Sequence, residues 1–231
     1  QVTELLENPT PDFIERIQYK ASFEFISLLD KFILYMENNY FKATDVKLTK
    51  YITIPAEFIN EQFKRFHRYP IRQRFETMTD YILEMMKIQY NLTVTTAEKN
   101  LLRNQLKKEI KKMFAGNNDL QIYKDFFEWI GKPEMFKTRK NRILEYADLA
   151  PLAYLHIALN GNNAQSYVKH LLIDEMQDYS PIQYKVIQKL YPCRKTILGD
   201  ASQSVNPYGS STADICNRRN NETLQKLSFY F

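Results

Sequence analysis

Two cysteines and three histidines among 231 residues leave little material for metal chemistry. Cys193 and Cys216 lack CxxC spacing and His67, His156 and His170 are scattered, so a zinc site has little support and reduced, structural cysteines are expected. No stretch approaches the roughly 20 apolar residues of a membrane-spanning helix, and the first residues lack the charged-then-apolar layout of a secretory signal. A cytoplasmic protein without a membrane partner is therefore expected. Repeats and low-complexity segments are also missing. With 44% hydrophobic and 26% charged residues, the chain has the composition of an ordinary globular protein, long enough for one large domain or two modest ones. Its net charge of +5 is too mild to argue for a polyanionic partner unaided. No methionine precedes Gln1, and residues 227–231 form an aromatic run ill suited to an exposed tail, so an excised segment of a longer protein is expected.

The first two-thirds carries helical periodicity. Phe13, Ile14, Ile17, Ala21, Phe25, Leu28, Phe32 and Met36 recur at three- and four-residue spacing, predicting one long helix from about Asp12. Residues 51–54 read as a short extended stretch closed by Pro55. Two further stripes follow, one through Phe58, Ile59, Phe63 and Phe66, the other through Ile71, Phe75, Met78, Ile82 and Met85 behind Pro70. Thr95 and Glu98 form a capping-box pattern before a helix with Leu102, Leu106, Ile110 and Met113 inward, ended by Gly116. An aromatic helix over 120–130 stops at Gly131.

The pattern changes near Asp148, read as the cap of a helix running to Leu159 before Gly161. Residues 168–173 and 196–198 are short apolar runs of the buried parallel-strand kind. Between them, Ser180-Pro181 opens a helix to about Leu190. Strand, helix and strand in so short a span predict a parallel crossover unit.

Both strands end in acid: Ile173 leads to Asp174-Glu175, and Leu198 to Gly199-Asp200. Ligands of open α/β sheets gather beyond the carboxyl ends of strands. There one carboxylate can hold magnesium through its water shell against nucleotide phosphates, while a second orients the attacking water. The bland alternative is that the two acids merely begin a loop.

The wider text, HLLIDEMQDYSPIQ over 170–183 and TILGDASQSV over 196–205, resembles motifs II and III of the UvrD/Rep branch of superfamily 1 helicases, DExQD and GDxxQS. Residues 147–155 and Asp178-Tyr179-Ser180-Pro181 look like the HelD/helicase IV-like group, whose HelD members associate with RNA polymerase. The resemblance implies that Asp174 binds magnesium, that Glu175 acts as base toward water, and that Gln177 and Asp178 couple the nucleotide state to a neighbouring domain. It implies likewise that Gln203 senses the γ-phosphate while Gly199, Asp200 and Ser204 shape the second loop. Tyr208 falls where relatives carry a base-stacking aromatic, but Asn206 and Pro207 depart from that pattern, and a turn tyrosine is the alternative.

The implied fold is α/β: part of a RecA-like P-loop NTPase domain with parallel strands over 148–231, preceded by a mostly helical inserted subdomain over 1–147. The implied function is a fragment of an ATP-dependent DNA helicase using ATP and Mg2+, with single-stranded DNA and the rest of its own chain as partners. RNA polymerase is the partner under a HelD-like alternative. A helicase-like nuclease subunit is a third possibility, though no clustered acidic nuclease motif is present. GxxxxGK[ST] occurs nowhere, so the chain alone is expected neither to bind ATP tightly nor to hydrolyse it. Lys99, Arg103, Lys107 and Lys111 repeat every four residues; they track a phosphate backbone or, as the favoured reading, form a solvated helix face. Arg65, Arg68, Arg72 and Arg74 carry the same ambiguity.

Overall fold

The computed structural model describes residues 10–199 except 92, 117, 140–142 and 163–166. Among them, eight α-helices and four short strands form a mostly helical α/β protein. The expected stripe over 12–36 does make helix, but as two pieces, α1 (Pro11–Ala21) and α2 (Phe23–Asn39). Ser22 separates them in extended conformation, and its Oγ accepts from the Phe25 backbone N–H at 3.1 Å. A serine hydroxyl can replace a helical backbone bond in this way, which is why the single long helix does not form.

The chain divides into two compact units. One takes in the described residues up to Asp30, together with Tyr123–Leu155 and the described residues from Asn162 onward; the other takes in Lys31–Ile122 and His156–Gly161. The boundary expected at 147/148 falls inside the first unit.

In the second unit, β1 (Val46–Lys47) pairs antiparallel with β2 (Thr53–Ile54), and Pro55 turns the chain into α3 (Ala56–Arg65). Then come α4 (Ile71–Gln89) and α5 (Thr96–Lys112). The capping box at α5 is present: Glu98 N–H donates to Thr95 Oγ1 at 3.3 Å, and Thr95 N–H to Glu98 Oε2 at 2.8 Å. Phe32, Met36, Ile54, Ile59, Met78, Ile82, Leu106 and Ile110 are fully buried, each contributing about 1.5–3 kcal/mol of transfer free energy.

In the first unit, α6 (Asp119–Trp129) supplies Phe126 and Phe127 to a core with Phe25, whose ring meets Phe126 edge-on at 5.4 Å. Helix α7 (Tyr146–Asn160) begins earlier than expected, so Asp148 is not its cap. Instead Asp148 is wholly buried: its Oδ1 lies 2.7 Å from Lys20 Nζ and accepts from Tyr123 OH at 2.8 Å. Burial raises its pKa, against the opposing pull of Lys20. Glu145, one residue before α7, completes the cluster with Arg16 Nη2 at 2.5 Å and Lys20 Nζ at 3.2 Å. Two acids and two bases thus share one dry site, where removing any partner strands a charge, typically at about 3–5 kcal/mol.

The remaining elements are β3 (His170–Ile173), α8 (Pro181–Leu190) and β4 (Arg194–Ile197). The strands pair in parallel, His170 opposite Arg194 through to Ile173 opposite Ile197, as the crossover pattern predicts. Ser180 and Pro181 start α8 as expected, with Gln183 Oε1 accepting from Ser180 N–H at 2.7 Å.

Candidate nucleotide site at the strand ends

Because β3 and β4 are parallel, neighbouring and in register, their carboxyl ends fall at one edge. Ile173 and Ile197 are the last paired residues, and both are buried with Met176 and Tyr184 in one apolar cluster. The chain that follows each strand is laced to the other: Leu198 N–H donates to Ile173 O at 2.8 Å, and Met176 N–H donates to Leu198 O at 3.0 Å. Tyr184, from α8, donates to Met176 O at 3.0 Å and braces the turn from beneath.

This apolar floor leaves the acids outside. Asp174 and Glu175 are exposed at the end of β3, and neither makes an ion pair among the described residues. Asp174 Oδ1 accepts from the Glu175 backbone N–H at 2.9 Å. Glu175 has φ 51° and ψ 48°, the left-handed conformation, which costs an L-residue roughly 1–2 kcal/mol. A short 3₁₀ turn, Met176–Asp178, follows directly and reverses the chain. Gln177 lies beneath, 2% exposed, its Nε2 donating to Glu175 Oε2 at 2.6 Å. Gly199 closes against the same turn: a Cβ there would stand 2.4 Å from Met176 Cγ and 2.7 Å from Met176 N.

Of the residues singled out in the sequence, Asp174, Glu175, Gln177, Asp178 and Gly199 are thus gathered where the two strands end. Asp200, Gln203, Ser204 and Tyr208 lie outside the described residues. No cluster of three or more metal-ligating side chains occurs among the described residues. Magnesium held through water by one carboxylate and by substrate phosphates requires no such cluster, and the exposed Asp174 carboxylate, without an ion pair among the described residues, fits that mode.

Arg103 and Lys107 are placed elsewhere, on α5 in the second unit. Lys99 reaches Glu84 at 2.6 Å, Arg103 reaches Asp80 at 2.5 Å, and Lys107 pairs with Glu76. The acids repeat every four residues along α4 and meet the α5 cations in antiparallel order. Those hydrogen bonds hold Glu76, Asp80 and Glu84 below the usual carboxylate range. Arg72 and Arg74 are paired as well, with Asp119 at 2.5 Å and Glu37 at 2.6 Å. The complementary row at Glu76, Asp80 and Glu84 is the visible sign of this partnership in the sequence.

Residues 12–223 match the protein family described as the UvrD/REP helicase N-terminal domain. The chain is also 25% identical over 231 residues to an ATP-dependent helicase/nuclease subunit of Lactobacillus acidophilus (strain ATCC 700396 / NCK56 / N2 / NCFM), a similarity covering 93% of this chain and 18% of that protein. The chain therefore spans less than a fifth of its relative. No solved structure matches significantly. Both similarities point to UvrD-like helicases and neither to the HelD-like group, so that narrower expectation is set aside.

Proposed function

Because the chain belongs to the UvrD/REP helicase family, through its N-terminal domain, we propose that it is part of an ATP-dependent superfamily 1 DNA helicase and contributes that enzyme's metal- and water-handling strand ends. The observation that supports this most is the lacing of the β3 and β4 exits, which sets Asp174 and Glu175 beside Gly199 at one edge of a parallel pair. In this reading residues from about 148 onward belong to a RecA-like domain, and the mostly helical residues before them correspond to an inserted accessory subdomain.

Asp174 is the residue that would hold magnesium, through water. Bound magnesium supplies charge neutralisation for the β- and γ-phosphates of ATP. Glu175 orients the attacking water and takes its proton: the water's O–H bond breaks as its oxygen bonds to the γ-phosphorus, and ADP leaves with the electrons of the cleaved P–O bond. Gln203, by resemblance, senses the γ-phosphate, Gln177 and Asp178 couple the nucleotide state to the neighbouring domain, and Asp200 and Ser204 hold the second loop. Hydrolysis then opens and closes the motor domains on single-stranded nucleic acid, with Tyr208 as the candidate stacking residue.

A second reading follows the relative's name: the full-length protein is the helicase-bearing component of a helicase/nuclease. One experiment separates the outcomes. The full-length protein is assayed for ATP-dependent strand separation and for DNA cleavage, and the present chain for ATPase turnover. Strand separation with an inactive isolated chain is expected, and DNA cleavage as well favours the second reading. Full-length protein unable to separate strands, yet releasing core RNA polymerase from DNA with ATP, contradicts both.

A further inference from the structure

Gln177 is buried to 2% exposure beneath the exposed acids. Its Nε2 donates to Glu175 Oε2 at 2.6 Å. Its Oε1 lies against Gly199, where a Cβ would approach to 2.4 Å. The amide is therefore confined between the carboxylate at the end of β3 and the backbone at the exit of β4. The same two segments are tied together by Met176 N–H to Leu198 O and Leu198 N–H to Ile173 O. Little room remains for the amide to turn without displacing one neighbour or the other.

We propose that Gln177 is a positioning residue for the Glu175 carboxylate: it holds one carboxylate oxygen, leaves the other for water, and takes its own place from the β4 exit at Gly199. This rests on Glu175 acting as the base. An amide suits the task because it donates without carrying charge and does not compete for the proton that Glu175 accepts. A carboxylate on a flexible side chain loses rate when misaligned by a fraction of an ångström, so an orienting bond acts on turnover more than on substrate binding. The contact also gives a direct route between the strands: displacing the β4 exit shifts the amide, and the carboxylate follows.

The test uses the full-length protein and Mg2+-ATP. Gln177→Met keeps the side chain's length and removes its donor. It is expected to lower kcat by about 10- to 100-fold while leaving KM for ATP within about threefold. Gln177→Asn, whose amide falls short of the carboxylate, is read identically should Gln177→Met fail to accumulate as folded protein. A damaging Glu175→Gln beside a Gln177→Met with wild-type kcat overturns the positioning role alone. So do losses confined to KM. If Glu175→Gln is silent too, the reading of Glu175 as base falls, and this proposal with it.

Discussion

Tyr184 shows how one side chain joins packing to the site. Its ring belongs to the apolar cluster under the strand ends, its hydroxyl holds Met176 O, and burial, followed by the charge on Tyr179, raises its pKa above the tyrosine range. With the folded pKa above the unfolded one, the phenol stays neutral in the fold while the unfolded chain ionises. Its contribution to stability is therefore complete below about pH 10 and declines as pH rises beyond it. Tyr184→Phe should cost about 1 kcal/mol at neutral pH through the lost hydrogen bond. It should also remove about 1.4 kcal/mol per pH unit of destabilisation above about pH 10. Urea midpoints at neutral pH and across that alkaline range check both, and an unchanged alkaline slope would contradict the assignment. The acids at the rim were legible because an apolar strand ending in Asp-Glu is a local pattern. The left-handed backbone of Glu175 was not, since it is imposed by the turn packed against Gly199 and not by a residue with a left-handed preference. Glu145 was invisible for a related reason: a lone glutamate before a helix reads as solvated until Arg16 and Lys20, more than a hundred positions away, are brought to it.

At the level of elements, periodicity located most helices, and the Thr95 box fixed the start of α5 because cap and partner are only three residues apart. The break at Ser22 went unread, because a serine within an apolar stripe looks the same whether its hydroxyl points to solvent or caps the next helix. The basic row on α5 has an equally specific outcome in its pairing with α4. Exposed pairs of this kind are weak and screened by salt, so their value lies in fixing which faces meet. Arg103→Glu with Lys107→Glu should lower stability by about 0.5–1 kcal/mol, and reversing Glu76 and Asp80 to lysine as well should restore the melting temperature. In the full-length protein the first pair should leave affinity for single-stranded DNA within about twofold at low salt. A loss of tenfold or more would instead place phosphate contacts on this stripe.

For the whole molecule, family membership and the parallel strand pair agree on a helicase N-terminal domain, and the α/β class was readable from the change in pattern near residue 148. The division into units was harder to read, because residues that pack together in the first unit come from three separated stretches of chain. Helix α1 is an instance: its stripe gave a helix but no partner, and the buried pairing of Arg16 and Lys20 with Glu145 and Asp148 ties it to the start of α7. The central claim is that two adjacent strand ends form the water-activating edge of an ATPase. Its most direct test is ATP turnover by full-length Glu175→Gln, with nucleotide affinity measured alongside. Turnover should fall by at least about 100-fold while affinity for Mg2+-ATP stays close to wild type; turnover at the wild-type rate would contradict the claim.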